Sequence, residues 1–600
     1  MHLNRREFIQ ILAAASAAGF PLAGLAGGHS RGNGAPSDPY DIDQHGNVSL
    51  LHYTDCHGQL LPVYFREPNV NLGIGEMRNR PPHIVGEHLL SHYGIPADTL
   101  HAHAYTYLNF IQDAERYGRV GGFPALATLI KKMRASRPNA LLLDGGDTWG
   151  GGTGTGVWTN AQDMIDAQKI LGVDVMTGHW EFTYGAERLS EVVNGDYADA
   201  GIDFVAQNVV DADWGDLIFK PYTVREINGV NVAVIGQAFP YTPIANPRFM
   251  VPDWSFGIRP DDMQRQVNAA RGEGAEIVIV LSHNGMDVDI KMAGLVDGID
   301  AIMGGHTHDA VPQPLPVKTP NGGTCLVTNA GSNAKFLGVL DFDFRDGKVQ
   351  SWKYHLLPVF ADLLEADDEM QTYIHDMRRR EVTFNGETFV MEDKLKEELA
   401  VTDDLLYRRG NFNGTFDQLI CDAIIEQADA EISFSPGFRW GTTVLPGMPI
   451  TFEHVMDQTG LTYPAMTRNT MTGEQIKNIL EDVADNLFHK DPFFQQGGDM
   501  VRVGGLKYAI DPNANIGSRI SELELGGRPL DPSKNYVVGG WASVQEEVPG
   551  NTGKMIWDAV ADHLRDKKTY RVPELNEPKV KNIGDDNQGF VATRPEFFRG

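Results

Sequence analysis

Five apolar segments in the N-terminal part of the chain each run into a short polar cluster that contains His or Asp. The clusters read Asp55-Cys56-His57, Gly146-Asp147, Gly178-His179, Ser282-His283-Asn284 and Gly305-His306-Thr307-His308. Open α/β sheets bind ligands at the carboxyl ends of their strands. The pattern therefore predicts that these side chains meet at one edge of a sheet, a condition that few folds satisfy.

The order of the apolar segments predicts the fold class. Apolar runs begin near residues 48, 140, 173, 204, 230, 276, 301 and 326, and helical patterns at residues 124–134 and 260–271 lie between some of them. Strands that alternate with helices favour an α/β fold. The chain has 600 residues, and a length of about 150 residues per domain allows roughly two to four domains.

The residue types in the clusters indicate metal binding. The seven candidate ligands are Asp55, His57, Asp147, His179, His283, His306 and His308. Nitrogen and oxygen ligands without paired cysteines suit divalent ions such as Mn, Fe or Zn. Seven ligands are too many for one tetrahedral ion, and they fit two ions about 3.5–4 Å apart that share a carboxylate. Cys56 is predicted to be buried and inert, because neighbouring strand residues point to opposite faces.

The N-terminus predicts export. Arg5 and Arg6 stand in the stretch N-R-R-E-F, and an apolar run without charge follows at residues 11–26. This arrangement is typical of a twin-arginine (Tat) signal, which carries folded proteins out of the bacterial cytoplasm. We expect a signal peptide at residues 1–30 and a periplasmic mature protein. No later stretch reaches the roughly 18 apolar residues of a spanning helix, so we expect no transmembrane anchor after signal cleavage.

The net charge of −29 bears on the class of partner. Nucleic-acid phosphates attract basic surfaces, so an acidic chain predicts no nucleic-acid partner. An anionic substrate would need a local positive charge, such as a metal, to attract it against the overall field.

Four motifs carry a family resemblance. They are D-C-H-G at residues 55–58, G-G-D at 145–147, L-S-H-N at 281–284 and G-G-H-T-H at 304–308. Together they resemble the calcineurin-like metallophosphoesterase domain of the 5′-nucleotidase branch. Residues 413–423, 449–454, 471–477 and 504–508 are similar to the 5′-nucleotidase C-terminal domain. The resemblance implies an N-terminal metallophosphoesterase β-sandwich flanked by helices, followed by a C-terminal 5′-nucleotidase-type α/β domain.

The resemblance also implies a division of the chain and of the ligands. We expect a two-metal catalytic domain at 47–362, a linker helix at 363–403, a substrate domain at 404–570 and a C-terminal tail at 571–600. By resemblance, Asp55, His57, Asp147 and His308 bind one ion. Asp147, which bridges, binds the other ion with His179, His283 and His306. The family has Asn where His179 stands, and imidazole is also a competent ligand.

The stretch T-G-H-W-E-F-T-Y-G at residues 177–185 departs from the nucleotidase pattern. In nucleotidases a His and an Asp in this region help the leaving group, whereas here Trp180 and Thr183 stand at those positions. An alkoxide, whose conjugate acid resembles water with a pKa of about 15.7, gains greatly from a general acid. A thiol has a pKa of about 8.5, so sulfur departs as an anion without help. The site is therefore predicted to cleave a bond to sulfur.

A second departure supports the same interpretation. The stretch at residues 538–545, V-G-G-W-A-S-V-Q, lacks the base-stacking aromatic segment of nucleotidases. With the export signal, these features resemble the thiosulfohydrolases of the bacterial Sox sulfur-oxidation system. That resemblance implies a hydrolase with two Mn ions. Its substrate would be an S-sulfosulfanyl cysteine on a flexible arm of the SoxYZ carrier complex, and the product would be sulfate.

Substrate contacts are predicted for two arginines. Arg439, in S-P-G-F-R, matches an arginine motif of nucleotidase C-terminal domains, and Arg468 is the second candidate. We count Asp147, His179, Trp180 and Arg439 as catalytic-site residues. Two alternatives stay open: a periplasmic 5′-nucleotidase or related phosphomonoesterase, and a non-catalytic, metal-stabilised protein that binds the carrier.

Overall fold

The computed structural model describes residues 38–599. The predicted signal peptide at residues 1–30 lies outside the described residues. None of the helices between residues 38 and 599 combines the length and the apolar character that crossing a membrane requires.

The N-terminal part of the chain forms a β-sandwich. Its strands are β1 (Val48–Tyr53), β2 (Leu141–Asp144), β3 (Val175–Met176), β4 (Asp203–Phe204), β5 (Val210–Asp211), β6 (Tyr222–Ile227), β7 (Val230–Gln237), β8 (Trp254–Ser255), β9 (Ile277–Ser282), β10 (Ala301–Gly304), β11 (Leu315–Lys318), β12 (Thr324–Asn329), β13 (Phe336–Arg345) and β14 (Lys348–Pro358). One six-stranded sheet has the order β14-β13-β1-β2-β3-β4, and the other has the order β11-β12-β10-β9-β7-β6. The predicted sandwich is confirmed.

The buried strands explain why two layers of core form. All six residues of β9 are buried. Ile277, Ile279 and Leu281 face the core between the two sheets. Val278 and Val280 face a second core, which is closed by helices. Strands that are buried on both faces read as continuous apolar runs, which is the pattern that the sequence shows for β7, β9 and β10.

Helices cover the outer faces of both sheets. In the helix Pro260–Gly272, the buried residues Met263, Val267 and Ala270 repeat at helical spacing and so form one apolar stripe. Pro260 at the first position and two aspartates in the first turn suit the start of a helix. The longer N-terminal helices are Glu87–Tyr93, Phe110–Tyr117, Phe123–Ser136, Gln162–Leu171, Ala186–Val192, Pro260–Gly272 and Met286–Ala293. Shorter helices are Leu100–Tyr105, Gly154–Trp158, Ala198–Ala200 and Thr242–Ala245.

The C-terminal part is a second α/β unit. Its strands are β15 (Glu381–Phe384), β16 (Glu387–Val390), β17 (Glu398–Thr402), β18 (Ile432–Ser435), β19 (Pro449–Thr451), β20 (Ala465–Thr472), β21 (Arg502–Gly504), β22 (Leu506–Ile510), β23 (Ile520–Leu525), β24 (Arg528–Pro529), β25 (Asn535–Trp541), β26 (Asn551–Met555), β27 (Thr569–Tyr570) and β28 (Lys579–Val580). A five-stranded sheet has the order β21-β18-β25-β20-β26. The helices are Asp368–Arg378, Met391–Leu395, Thr415–Ala428, Phe452–Thr459, Gly473–Phe488 and Ile556–Lys567.

The prediction of a linker helix over residues 363–403 is wrong. This stretch contains the helices Asp368–Arg378 and Met391–Leu395, with the hairpin β15–β16 between them and β17 after them. Asn385 and Gly386 both have positive φ, at 51° and 84°, and this is the turn that joins tightly paired strands. The alternating Val382 and Thr383 on one side of the turn favour a strand.

The stretch predicted as a C-terminal tail is folded onto the rest of the chain. Its strand β28 pairs with β22. The backbone N–H of Val591 donates to the carbonyl of Asn69 at 2.9 Å. Phe598 is buried in a cluster with Phe110 and Tyr407. The segment therefore joins the N-terminal and C-terminal parts.

Candidate metal centre

The structure brings all seven predicted metal ligands together in two buried groups. Asp55, His57, Asp147 and His308 form one group, and Asp147, His179, His283 and His306 form the other. Within each group the candidate ligand atoms all lie within 4.8 Å of one another. Asp147 belongs to both groups, which is the arrangement that a bridging carboxylate requires.

The ligands come from the carboxyl ends of strands in both sheets. Strands β1, β2 and β3 lead to Asp55, Asp147 and His179, and strands β9 and β10 of the other sheet lead to His283 and His306. The centre therefore lies at one edge of the sandwich, where the two sheets meet. This position explains why five separate sequence clusters are needed to build it.

The backbone at the ligands is strained. Five ligands have positive φ, in a region that residues other than glycine rarely adopt: Asp55 (53°), His57 (50°), Asp147 (57°), His306 (70°) and His308 (58°). Strain of this kind persists where the surrounding structure determines the conformation, and it gathers at functional sites.

Gly305 allows two of the ligand loops to approach each other closely. A Cβ atom at this position would lie 2.8 Å from Oδ2 of Asp55 and 2.4 Å from Oγ1 of Thr54. Without it, the backbone N–H of His306 donates to both carboxylate oxygens of Asp55 at 3.0 Å. A side chain at Gly305, directly before His306, would therefore collide with Asp55 and Thr54.

Glu181 holds the loop of the second group, and the sequence analysis did not assign it a role. Its carboxylate accepts from the backbone N–H groups of His179 at 2.8 Å, Thr148 at 2.8 Å and Asp147 at 3.2 Å. Burial and the nearby Asp147 charge raise the pKa of Glu181 to about 7. Glu181 stands in the stretch T-G-H-W-E, so the motif itself was the available signal.

Backbone carbonyls select the tautomer of three imidazoles. Nδ1 of His57 pairs with the Gly150 carbonyl at 2.9 Å, and Nδ1 of His283 pairs with the Gly145 carbonyl at 2.6 Å. Nε2 of His306 pairs with the carbonyl of Gln496 at 3.0 Å. A carbonyl oxygen only accepts, so each of these nitrogens carries the proton. The opposite nitrogen of His57 and of His306 is left with a lone pair for a cation, whereas Nε2 of His283 faces Oδ2 of Asp147 at 2.9 Å.

The electrostatics of the two groups suit cations. Burial, together with neighbouring histidines and Arg439, holds the pKa values of His306 and His308 well below the usual range, so both rings are neutral ligands. Burial opposes protonation of His283, but the Asp147 and Asp55 carboxylates outweigh it and raise its pKa to about 10. The two carboxylates thus attract positive charge to the position that the ligands surround.

Imidazole nitrogens also lie close to the carboxylates of each group. Nδ1 of His179 is 3.1 Å from Oδ2 of Asp147, and Nε2 of His308 is 3.2 Å from Oδ1 of Asp55. The Nε2 atoms of His57 and His308 are 3.0 Å apart. Buried polar groups are ordinarily paired or bound to metal. The donor set therefore fits two divalent ions held by imidazole and carboxylate groups.

Trp180 belongs to an aromatic cluster between the two parts of the chain. Its ring contacts Trp440 at 4.8 Å and Phe438 at 5.4 Å, and it stacks on Tyr463 at 6.1 Å between centroids. Phe438 and Trp440 stack on each other at 4.0 Å, and Trp541 meets Phe438 edge to face. Trp440 also stacks on the ligand His57 at 5.2 Å. These five aromatic rings, the aromatic wall, cover one side of the centre.

Thr183 and Phe239 complete the apolar side. The Thr183 hydroxyl donates to the Trp180 carbonyl at 2.7 Å, so its proton is used within its own turn. The Phe239 ring lies 4.0 Å from the ring of His179 and 4.3 Å from that of His306. Phe239 follows the apolar strand β7, and its sequence carries no sign of this role. Cys56 is buried, as expected.

The structure places the two predicted arginines differently. Arg439 donates to the carbonyls of His306 and Gly498, beside the centre. Arg468 donates to the carbonyl of Ala428 at 2.8 Å, at the end of the helix Thr415–Ala428. A cation at that position stabilises the carboxyl end of a helix. Arg468 is therefore explained by helix capping, and its predicted substrate contact is not supported.

Arg409 is a further residue beside the centre, and it follows Arg408 shortly before the motif at residues 413–423 without belonging to that motif. Its side chain is buried, and it donates to the His308 carbonyl at 3.4 Å. Arg409 and Arg439 both line a cavity beside the centre, of about 700 Å³ including its open mouth. His83, Thr307 and Asp309 line it as well. The two guanidinium groups can bind an oxyanion, and Asp287, Asp309 and Asp499 add negative charge to the same cavity.

Known proteins with similar sequences and structures are hydrolases. Residues 400–548 match the family described as 5′-nucleotidase, C-terminal domain. The chain is 24% identical to the 5′-nucleotidase of Bos taurus over 451 residues, which cover 68% of this chain and 73% of the bovine protein. It is 28% identical to the Rattus norvegicus enzyme over 448 residues, covering 68% and 72%.

Two solved structures bear on the fold and the family. The 5′-nucleotidase precursor from Thermus thermophilus superposes with a TM-score of 0.70 at 22% identity, covering 89% of this chain and 99% of that chain, and so shares the fold. The Thermus thermophilus sulfate thiohydrolase SoxB, in complex with glycerol, superposes with a TM-score of 0.85 at 35% identity. This match covers 94% of the present chain and 100% of the Thermus chain. The chain therefore belongs to the SoxB family, within the metallophosphoesterase superfamily that includes the 5′-nucleotidases.

Proposed function

We propose that the protein is a thiosulfohydrolase that releases sulfate from an S-sulfosulfanyl cysteine on the SoxYZ carrier. Water would form a bond to the terminal sulfonate sulfur while the bond to the next sulfur breaks. The electron pair of that bond leaves with the persulfide on the cysteine, the two protons of the water pass to solvent, and the products are sulfate and the shortened carrier. The observation that carries the proposal is the replacement of a proton donor by the aromatic wall.

Leaving-group chemistry connects this wall to sulfur. Trp180 presents an apolar ring, and the Thr183 hydroxyl donates within its own turn. Neither group can protonate an alkoxide, and a general acid contributes about 10²–10⁴-fold to such reactions. A persulfide needs no such help, since even an ordinary thiol has a pKa of about 8.5. The lack of a proton donor at positions 180 and 183 therefore has little effect on the rate at which a bond to sulfur is cleaved.

The closed stacking of the wall argues against a nucleotide substrate. Phe438 and Trp440 are already stacked on each other at 4.0 Å between centroids, so a base could not lie between them without separating them. Trp541 donates its indole N–H to the Ser435 hydroxyl at 2.8 Å, which anchors the cluster. The aromatic wall therefore favours a small substrate group that does not stack between aromatic rings.

We propose that the two ligand groups each hold one divalent ion, with Asp147 as the bridge. Manganese is our proposal for both ions, from the family resemblance. When bound, such ions lower the pKa of water and stabilise charge on the oxygens of the reacting group. The chain itself contributes the orientation of the imidazoles, through the Gly145, Gly150 and Gln496 carbonyls, and it excludes water with Trp180 and Phe239.

We propose that Arg439, together with Arg409, contacts the sulfonate. Both line the cavity beside the centre, and guanidinium groups form paired hydrogen bonds with oxyanions. The cavity lies where residues 68–83, the ligand loops and the C-terminal part meet, which supports entry of a carrier arm from that side. Export by the twin-arginine pathway and a periplasmic location belong to the same proposal.

A 5′-nucleotidase activity is the second candidate. The match of residues 400–548 to the nucleotidase C-terminal domain supports it, and so do the shared metal groups. A metal-stabilised protein that binds the carrier without turnover is the third candidate. The three candidates predict different products from one preparation.

The first prediction concerns the bridge. Asp147→Asn should lower bound metal from two ions per chain to one or fewer, because the substitution removes a charge that both groups share. Asp309→Asn is the matched control: Asp309 is buried next to His308 but belongs to neither group. Elemental analysis after gel filtration measures the metal content. Two tightly held ions in the Asp147→Asn protein would refute the bridge.

The second prediction concerns the substrate. The manganese-loaded protein should release sulfate from a carrier peptide that bears an S-sulfosulfanyl cysteine, and it should barely hydrolyse AMP. The triple variant His179→Asn, Trp180→His and Thr183→Asp should release sulfate more slowly, because it changes a candidate metal ligand and removes Trp180 from the aromatic wall. Ion chromatography measures sulfate and phosphate together. Rapid AMP hydrolysis without sulfate release would establish the nucleotidase instead, and two bound ions without either product would indicate the carrier-binding protein.

The third prediction separates the two arginines. Arg439→Gln should lower kcat/KM for sulfate release by roughly 10–100-fold, since hydrogen bonds to charged groups contribute about 1.5–3 kcal/mol. Arg468→Gln should leave kcat/KM unchanged, because Arg468 caps a helix. Steady-state kinetics on both variants decide the matter. Equal losses in the two variants would show that Arg439 has no specific contact with the substrate.

The fourth prediction concerns export. Replacing Arg5 and Arg6 by Lys should keep the protein in the cytoplasm at its precursor mass, because the Tat pathway reads the twin arginine. Cell fractionation followed by mass spectrometry measures both properties. Wild-type levels of periplasmic protein from the Lys-Lys variant would exclude the pathway.

A further inference from the structure

One candidate metal ligand is oriented by the opposite part of the chain. The carbonyls that pair with His57 and His283 belong to Gly150 and Gly145, in the loop that also carries Asp147. The carbonyl that pairs with His306 belongs to Gln496, 190 residues further along the chain. Gln496 lies between the helix Gly473–Phe488 and strand β21, both in the C-terminal part.

This contact determines which nitrogen of His306 faces the centre. The Gln496 carbonyl can only accept, so Nε2 of His306 must donate its proton. Nδ1 is then the nitrogen with a free lone pair. Rotating the ring or losing the carbonyl would allow the other tautomer, which presents a hydrogen to the cation. The contact therefore prepares His306 as a ligand.

Gln496 belongs to a segment that is fastened to the N-terminal part at several points. We call residues 491–499 the inter-domain strap. Asp491 pairs with Lys291 at 2.5 Å, and the Lys291 ammonium lies 4.0 Å from the centroid of the Phe493 ring. The Tyr241 hydroxyl donates to the Phe493 carbonyl. On its own side, the strap is held by Asp499, whose backbone N–H donates to the Gly437 carbonyl at 2.8 Å.

The two glycines after Gln496 differ in what they face. Gly497 has a φ of 74°, and a Cβ atom there would lie 2.3 Å from Nε2 of His306. Gly498 has a φ of 77°, and the nearest atom to its Cβ would be the Gly437 carbonyl oxygen at 3.7 Å. The two positions share the same backbone strain for alanine, but only Gly497 faces the ligand.

We propose that the inter-domain strap is a positioning element for the metal centre. The Gln496 carbonyl sets the tautomer of His306, so the group of Asp147, His179, His283 and His306 reaches full affinity only when the strap is docked. The group of Asp55, His57, Asp147 and His308 has no contact of this kind with the strap in the described part of the chain. The inference rests on the proposed two-ion centre and is independent of the substrate.

Metal titration of two matched glycine variants tests the proposal. Gly497→Ala should weaken binding of one of the two ions by roughly 10–100-fold, the usual loss when an outer partner of a ligand is removed. The other ion should bind as in the wild type. Gly498→Ala carries the same positive-φ strain and should bind both ions with wild-type affinity. Manganese titration of the metal-free proteins, followed by electron paramagnetic resonance, measures the free ion and the coupled pair.

A second variant removes the fastening without adding a side chain near His306. Lys291→Met breaks the ion pair with Asp491. It should weaken by a few-fold the binding of the ion at the group that contains His306, and it should leave the affinity for the other ion unchanged. If Gly497→Ala and Lys291→Met both bound two ions with wild-type affinity, the proposal would be overturned. A wild-type protein that binds fewer than two ions would instead refute the two-ion centre, so the two failures are distinguishable.

Discussion

The buried Asp147 carboxylate is the group on which the rest of the centre depends. Its Oδ2 lies 2.9 Å from Nε2 of His283 and 3.1 Å from Nδ1 of His179, and its Oδ1 accepts from the Trp180 N–H at 2.8 Å. A buried carboxylate is costly unless cations or donors surround it. Here they come from both sheets of the sandwich. The edge where the sheets meet is therefore the place where this charge can be buried.

The C-terminal part adds an apolar and a positively charged side to this centre. Trp440 stacks on His57, and Trp180 is packed within the hydrophobic core of the C-terminal part. Arg409 and Arg439 contact the carbonyls of two ligands. Excluding water from one side of a charged site strengthens the interactions within it. Trp180, which stands where nucleotidases have an acid, thus helps to shield the ligand groups from water on this side.

The sequence predicted the strands and the ligand clusters well, because both depend on local patterns. Runs such as β9 are apolar throughout, and the His and Asp residues directly after such runs stand where α/β sheets bind ligands. The linker was predicted wrongly because the division by resemblance took no account of the turn at Asn385-Gly386, which forms a hairpin. The sequence ranked Arg439 before Arg468 as a substrate contact, but the helix-capping role of Arg468 could not be predicted because its partner carbonyl is 40 residues away. Arg409 and Phe239 were missed for the same reason.

The sequence by itself determined the fold class, the identity of the seven candidate ligands and their places at strand ends. These properties follow from residue type and from the two-residue and helical repeats. The tertiary structure decided which nitrogen of His57 and of His306 is free, and which aromatic rings surround Trp180. For His306 the deciding partner is the Gln496 carbonyl, 190 residues away. Contacts over that separation arise only when the two parts of the chain have packed together, so no local pattern can encode them.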